Sequence, residues 1–241
     1  MNPTGPSDAK HIFSKIASAA NYFKKVEAII CPPTIFLPVL GKPKSIKLGA
    51  QDAFYESSGP FTGFISSAMV KSFQVEYLLV GHSERRRLGE TDELINKKIK
   101  AGLKQGLKII LCIGEEQTDE NGIYLKFLRQ QLLSGLSDIP KKYFNQIMVA
   151  HEPIWAIGSL SKGADTPERF QHNRLFIKKV LSDLAGKKFG ISVPVLYGGS
   201  VTPKNALSFL EAGEADGLLV GRSSLIPVDF VKILEIANVC S

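Results

Sequence analysis

The sequence predicts an α/β fold whose parallel sheet closes on itself, and three observations carry that prediction. Seven short apolar runs alternate with stretches of helical periodicity. The runs are nearly continuous in apolar residues, as strands covered on both faces are. The residues able to carry chemistry stand where those runs end: Gln51, the Gly81-His82-Ser83-Glu84 turn, Gly114-Glu115, His151-Glu152, Gly198-Gly199-Ser200 and Gly221-Arg222-Ser223-Ser224. Helices between parallel strands form right-handed crossovers that cover the sheet. An open dinucleotide-binding sheet would show Gly-x-Gly-x-x-Gly after an early strand and an acidic residue further on, and neither occurs. A closed barrel instead gathers many strand ends on one face, where an active site forms.

In order, Met1-Asn-Pro-Thr-Gly-Pro6 is a turn-rich lead-in. Ser7 with Asp8 offers a cap for a helix running to about Phe23, with Ile12, Ile16, Ala20 and Phe23 recurring at helical spacing. A helix therefore comes first. Residues 26–31 read as a strand stopped by Pro32-Pro33. Further strands are expected over 46–50, 77–80, 108–113, 147–150, 194–197 and 217–220. Helical patterns separate them, over 65–73, 91–105, 122–136, 166–184, 203–210 and 228–238.

A chain of 241 residues with 44% hydrophobic content buries a large core. No linker of low complexity divides it, so residues 1–241 are expected to form a single domain. The net charge of +7 is scattered over the solvated faces of helices. That suits a mildly anion-attracting field and argues against a nucleic-acid binder, as does the lack of an aromatic-interleaved basic stretch. Cys31, Cys112 and Cys240 make neither a disulfide framework nor a metal spacing, so a reduced, cytoplasmic setting with no metal is expected. No apolar run is long enough to span a bilayer, and no signal peptide is recognisable at Met1.

Glu152 closes the 147–150 strand, and Pro153 fixes the direction in which the chain leaves it. A general base needs such placement; the alternative is a polar residue that merely ends a strand. His82 follows a buried strand and leads toward a helix, so backbone N–H groups can point at its ring. That location disfavours the imidazolium and leaves a neutral ring able to donate to a carbonyl or enediolate oxygen. A lone histidine beside glycine is otherwise usually a surface or capping residue. One base with one neutral electrophile suits proton transfer beside a carbonyl, without cofactor. The two glycine-rich turns after the last two strands can bring backbone N–H groups close to a phosphate.

Val80-Gly-His-Ser-Glu-Arg85, Leu111-Cys-Ile-Gly-Glu115, Glu152-Pro-Ile-Trp-Ala-Ile-Gly158, Tyr197-Gly-Gly-Ser-Val201 and Asp216-Gly-Leu-Leu-Val-Gly221 resemble, in order and over nearly the whole chain, the motif series of the triosephosphate isomerase family. The resemblance implies a (β/α)8 TIM barrel, a homodimer, and interconversion of dihydroxyacetone phosphate with D-glyceraldehyde 3-phosphate in glycolysis and gluconeogenesis. It also implies Glu152 as base and His82 as electrophile. Gly158, Ser200, Gly221 and Arg222 would contact phosphate, largely through backbone N–H groups, with Glu84 a supporting polar residue and Cys112 a packing residue. The 52–63 stretch would be an interface loop with Thr62 near its tip; a surface excursion is the other reading of a segment rich in Gly, Ser and Phe.

The departures are specific. The family opens with a strand ending in Asn-x-Lys-Met-Asn, and this chain starts at Met1-Asn2, so the first β-strand and its catalytic lysine are expected to be missing. In the family that lysine faces the phosphate and the developing oxyanion, a role of about 3 kcal/mol or more. Its loss would also leave two sheet edges in a barrel that normally has none. We read Met1 as an internal methionine; an upstream stretch without Asn-x-Lys would contradict this. After Gly158, Leu160 stands where a glycine is common, in a segment the family uses as a lid. His151 replaces the usual tyrosine and Arg222 a glycine. Two further readings stay open: a barrel enzyme acting on a larger phosphorylated sugar, and a catalytically dead barrel, which the missing lysine brings into view.

Overall fold

The computed structural model describes residues 2–41, 44–119, 121–156 and 165–240. Among them, seven strands make one parallel sheet: β1 (Ala28–Ile30), β2 (Ile46–Ala50), β3 (Tyr77–Val80), β4 (Lys108–Ile113), β5 (Ile147–His151), β6 (Val195–Tyr197) and β7 (Gly217–Leu218). Their order in the sheet is their order in the chain. The helices are α1 (Pro6–Ala20), α2 (Ser67–Ser72), α3 (Ser83–Arg87), α4 (Asp92–Lys104), α5 (Tyr124–Gly135), α6 (Pro167–Ala185), α7 (Lys187–Ser192), α8 (Ala206–Glu211) and α9 (Pro227–Cys240).

Alternate side chains of each strand point to opposite faces, and both faces are covered. Inward residues Tyr77, Leu79, Ile110, Cys112 and Ala150 form one cluster, against which Ile29, Met148, Leu196 and Leu219 pack. Register builds it in layers, with Leu79 opposite Ile110 opposite Met148, and Cys112 opposite Ala150 opposite Leu196. Because Ile29 of β1 and Leu219, just after β7, both pack against this one cluster, the sheet curls. Outward residues Leu78, Val80, Ile109, Leu111 and Val149 join a larger core with Ile95, Ile99, Leu128, Leu132, Phe170 and Ile177 of the helices. This double burial is why the strands read as unbroken apolar runs. Among the described residues β1 pairs with β2 and β7 with β6, which leaves these two strands as sheet edges. Accordingly β3 is wholly buried and β7 only half-buried.

Three local expectations are corrected. Helix α1 is not capped by Ser7 and Asp8: its N-cap is Gly5, its first residue is Pro6, and Asp8 instead accepts a hydrogen bond from Thr4 Oγ1 at 2.7 Å. A proline at the first position wastes no N–H and so begins the helix earlier. The same helix ends at Ala20, short of Phe23. Two short helices, α3 and α7, stand where the sequence reading placed none.

Candidate active site

The end of β5 is held by both neighbouring strands. Glu152 N–H donates to Ile113 O at 2.7 Å, Gly198 N–H to His151 O at 2.8 Å, and Ile154 N–H to Glu115 O at 3.0 Å. Glycines make this closeness possible. A Cβ on Gly114 would fall 1.8 Å from the Glu152 carbonyl oxygen, and one on Gly198 would fall 2.9 Å from Glu152 Cγ. The Glu152 side chain is 1% exposed. Its Oε2 accepts from Ser83 N–H at 3.0 Å. Its Oε1 lies 3.1 Å from His82 Nε2 yet is not aligned with it, and has no hydrogen-bond partner. Burial raises the carboxyl above its ordinary range, against the opposing pull of His82, the Ser83 N–H and Cys112. A carboxylate so placed is a stronger base than one in water, with one oxygen anchored and the other unengaged.

His82 is the N-cap of α3, and its Nδ1 accepts the Glu84 N–H at 3.3 Å. With Nδ1 accepting, the ring's hydrogen sits on Nε2, the atom turned to Glu152. Glu84 contributes through its backbone; its side chain is 66% exposed, with Oε2 3.9 Å from Nδ1. The turn before His82 needs Gly81, whose φ is +76°. Arg86 pins that turn to β4, donating from Nε to Gly81 O at 2.8 Å and from Nη2 to Cys112 O at 3.3 Å, while Nη1 pairs with Asp92 at 2.6 Å. Cys112 is fully buried, and burial, then the charge of Glu152, hold its thiol well above the usual thiol range. A thiol in that state packs and does not attack.

The two glycine turns are tied to each other. Buried Ser223 donates from Oγ to Val201 O at 3.1 Å, and Asn205 donates from Nδ2 to Ser200 O at 2.8 Å while accepting the Thr202 N–H at 2.8 Å. Ser200, Gly221 and Arg222 are exposed on these turns. Gly158 and Leu160 lie outside the described residues. Ser83, Gly114, Asn205 and Ser223 had no individual part in the sequence reading. Ser83, Gly114 and Ser223 lie within strand-end turns and Asn205 caps α8, and only the fold shows which neighbour each meets.

The 52–63 segment is closed through Phe54 onto its own rings and onto the residues that follow it. Phe54 donates to Ile65 O at 2.7 Å and accepts from Ser67 N–H at 3.2 Å. Its ring lies 4.4, 4.9 and 4.3 Å from those of Tyr55, Phe61 and Phe64. Thr62 is exposed beside them. At the base of the segment Asp52 meets Lys98 Nζ at 2.6 Å and Arg85 at 2.8 Å, and Lys98 and Arg85 also pair with Glu90. Burial still pushes the Asp52 carboxyl up against both cations. Lys98 and Glu90 are each 3% exposed, so Lys98→Met leaves two carboxylates to Arg85 alone. Urea unfolding of that variant should show a loss of about 3–5 kcal/mol; a loss below about 1 kcal/mol would mean Arg85 alone suffices.

The fold and site have counterparts among known proteins. A family model described as triosephosphate isomerase matches residues 1–237. Three proteins named triosephosphate isomerase illustrate the likeness. That of Natranaerobius thermophilus is 36% identical over 240 residues, covering 97% of this chain and 92% of its own. That of Aquifex aeolicus is 43% identical over 213 residues, covering 86% and 85%. That of Endomicrobium trichonymphae is 38% identical over 240 residues, covering 98% and 94%. A curled parallel sheet with helical crossovers, a buried glutamate facing a histidine at its rim, and a match of this extent together show that the chain belongs to the triosephosphate isomerase family.

Proposed function

We propose that the protein interconverts dihydroxyacetone phosphate and D-glyceraldehyde 3-phosphate by proton transfer through an enediolate, as a step of glycolysis and gluconeogenesis. The observation that carries the mechanism is the asymmetry of Glu152: Oε2 is anchored by Ser83 N–H, and Oε1 is unpartnered beside His82 Nε2. Oε1 takes a proton from the carbon next to the substrate carbonyl, and the C–H electron pair becomes the C–C double bond of the enediolate. His82 Nε2–H donates to the oxygen where charge develops. The hydroxyl proton on the neighbouring carbon's oxygen passes to the former carbonyl oxygen, and the carboxyl returns its proton to the carbon that bears it as the C–C double-bond pair forms the new C–H bond and the neighbouring oxygen becomes the carbonyl. The turns carrying Ser200, Gly221 and Arg222 hold the phosphate through backbone N–H groups, with Gly158 a further contact, and Arg222 adds positive charge. Glu84 supports the histidine, and Cys112 packs beneath the base. No cofactor or metal enters this scheme.

The working form we propose is a homodimer of single-domain chains, with the 52–63 segment and Thr62 at the interface. Its support is the exposed apolar pair directly after that segment, Phe64 and Ile65, the first of which lies against Phe54. We place the enzyme in the cytoplasm, without nucleic-acid or membrane partners. Among the described residues, no helix is long and apolar enough to cross a membrane.

Substituting His82→Gln tests the electrophile in an assay of D-glyceraldehyde 3-phosphate conversion. Turnover should fall by roughly 10²-fold with KM little changed, because the lost interaction is made in the transition state. An unchanged kcat with a large rise in KM would assign the ring to substrate binding alone.

A further inference from the structure

The two glycine turns that follow β6 and β7 use most of their polar side chains to hold the turns themselves. Thr202 Oγ1 donates to Asn205 Oδ1 at 3.2 Å, Asn205 Nδ2 to Ser200 O at 2.8 Å, Ser223 Oγ to Val201 O at 3.1 Å, and Ser224 Oγ to Gly221 O at 2.7 Å. Ser224 N–H also donates to Gly221 O, at 2.9 Å. The backbone on either side of Arg222 is therefore fixed. Its own side chain is exposed and, among the described residues, makes no hydrogen bond or ion pair. The five N–H donors of a planar fork are left untaken.

The place of this turn gives the charge its meaning. Leu219 N–H donates to Tyr197 O at 2.8 Å, and a Cβ on Gly198 would lie 3.6 Å from Leu219 Cδ2 and 2.9 Å from Glu152 Cγ. Gly198 thus separates the base from Leu219, two residues before the second turn. Of the residues at the strand ends, Gln51, 81–84, 114–115, 151–152, 198–200 and 221–224, Arg222 is the single lysine or arginine, against the carboxylates of Glu84, Glu115 and Glu152. Arg85 and Arg86, the first cations after His82, are already paired, Arg85 with Asp52 and Glu90 and Arg86 with Asp92. A phosphate dianion entering beside a carboxylate base needs an opposing charge. We propose that the Arg222 guanidinium, and not the backbone of the turns alone, grips the substrate's phosphate with two parallel N–H donors and makes the site select phosphorylated trioses over unphosphorylated ones. This rests on reading the two turns as the phosphate site. A guanidinium fork matches two phosphate oxygens at once, which the ammonium of a lysine does not.

Calorimetric titration of the protein with inorganic phosphate tests this without any turnover. Arg222→Ala keeps every backbone N–H of the turn, yet it should weaken phosphate binding by roughly 10- to 10²-fold, the range of hydrogen bonds between charged groups. Arg222→Lys keeps the charge without the fork and should fall between. In the isomerase assay, kcat/KM of Arg222→Ala for D-glyceraldehyde 3-phosphate should drop by a similar factor, while that for unphosphorylated D-glyceraldehyde should stay at the parental value. Circular dichroism checks that both variants are folded. Phosphate binding by Arg222→Ala at the parental affinity would overturn the proposal, as would a parent protein that binds no phosphate. A parent that binds phosphate through Arg222 and isomerises neither aldehyde would support the proposal and refute the isomerase reading instead.

Discussion

Replacing Glu152 by glutamine should lower isomerase turnover by roughly 10²- to 10⁴-fold, the range a positioned general base supplies. The substitution keeps the size of the side chain, and its amide oxygen can still accept the Ser83 N–H that now anchors Oε2. Geometry is preserved and the proton acceptor is lost. KM should therefore move little while kcat falls, the signature of an interaction made in the transition state. The stability of this variant carries a second expectation. Burial disfavours the ionised Glu152, so a neutral amide should leave the folded protein at least as stable as the parent at neutral pH, with the difference vanishing in acid as the parent carboxyl protonates. A variant that lost activity by unfolding would show the opposite, and urea denaturation at two pH values separates the cases.

The second large effect is expected from a single methyl group on Gly114. A Cβ at this position would sit 1.8 Å from the carbonyl oxygen of Glu152, a distance that backbone must move to relieve. The contact cannot be eased by a rotamer, since both partners are main chain. The strand ends would separate, stretching the hydrogen bond from Glu152 N–H to Ile113 O and that from Ile154 N–H to Glu115 O. Gly114→Ala should cost about 3 kcal/mol or more in stability, at or above the upper end for overpacking. Turnover should fall by roughly 10²-fold from a displacement of the base by about 1 Å. An alanine variant with parental activity and parental melting temperature would show that this rim is far softer than its contacts indicate.

Much of the architecture was legible because it depends on which side chains must be buried. β4 lies at 108–113 as expected, since an apolar run inside a doubly covered sheet has no polar register to misread. The positions of Glu152 and His82 were legible for the same reason: a charged or polar residue at the end of such a run stands out. Features fixed by main-chain contacts were not. α3 is five residues with three arginines and no apolar period; it exists because the His82 side chain caps it. α7 follows Gly186, with φ of +94°, and packs so tightly that a Cβ on Gly190 would lie 2.2 Å from Ser182 N. His151 could be seen to replace a tyrosine, but its tie to Glu115 arises from the pairing of Ile113 with His151 across β4 and β5. No single stretch of sequence contains that neighbourhood.

The claim that Glu152 moves the proton is tested most directly by nuclear magnetic resonance of products formed from dihydroxyacetone phosphate in D2O. A carboxylate that takes the proton, exchanges it with solvent and returns it should place deuterium on the carbon next to the new aldehyde. The parent protein should form this labelled D-glyceraldehyde 3-phosphate, and Glu152→Gln should form neither it nor deuterated starting material above the rate in buffer. Exchange by Glu152→Gln at the parental rate would contradict the account and assign the base to another residue.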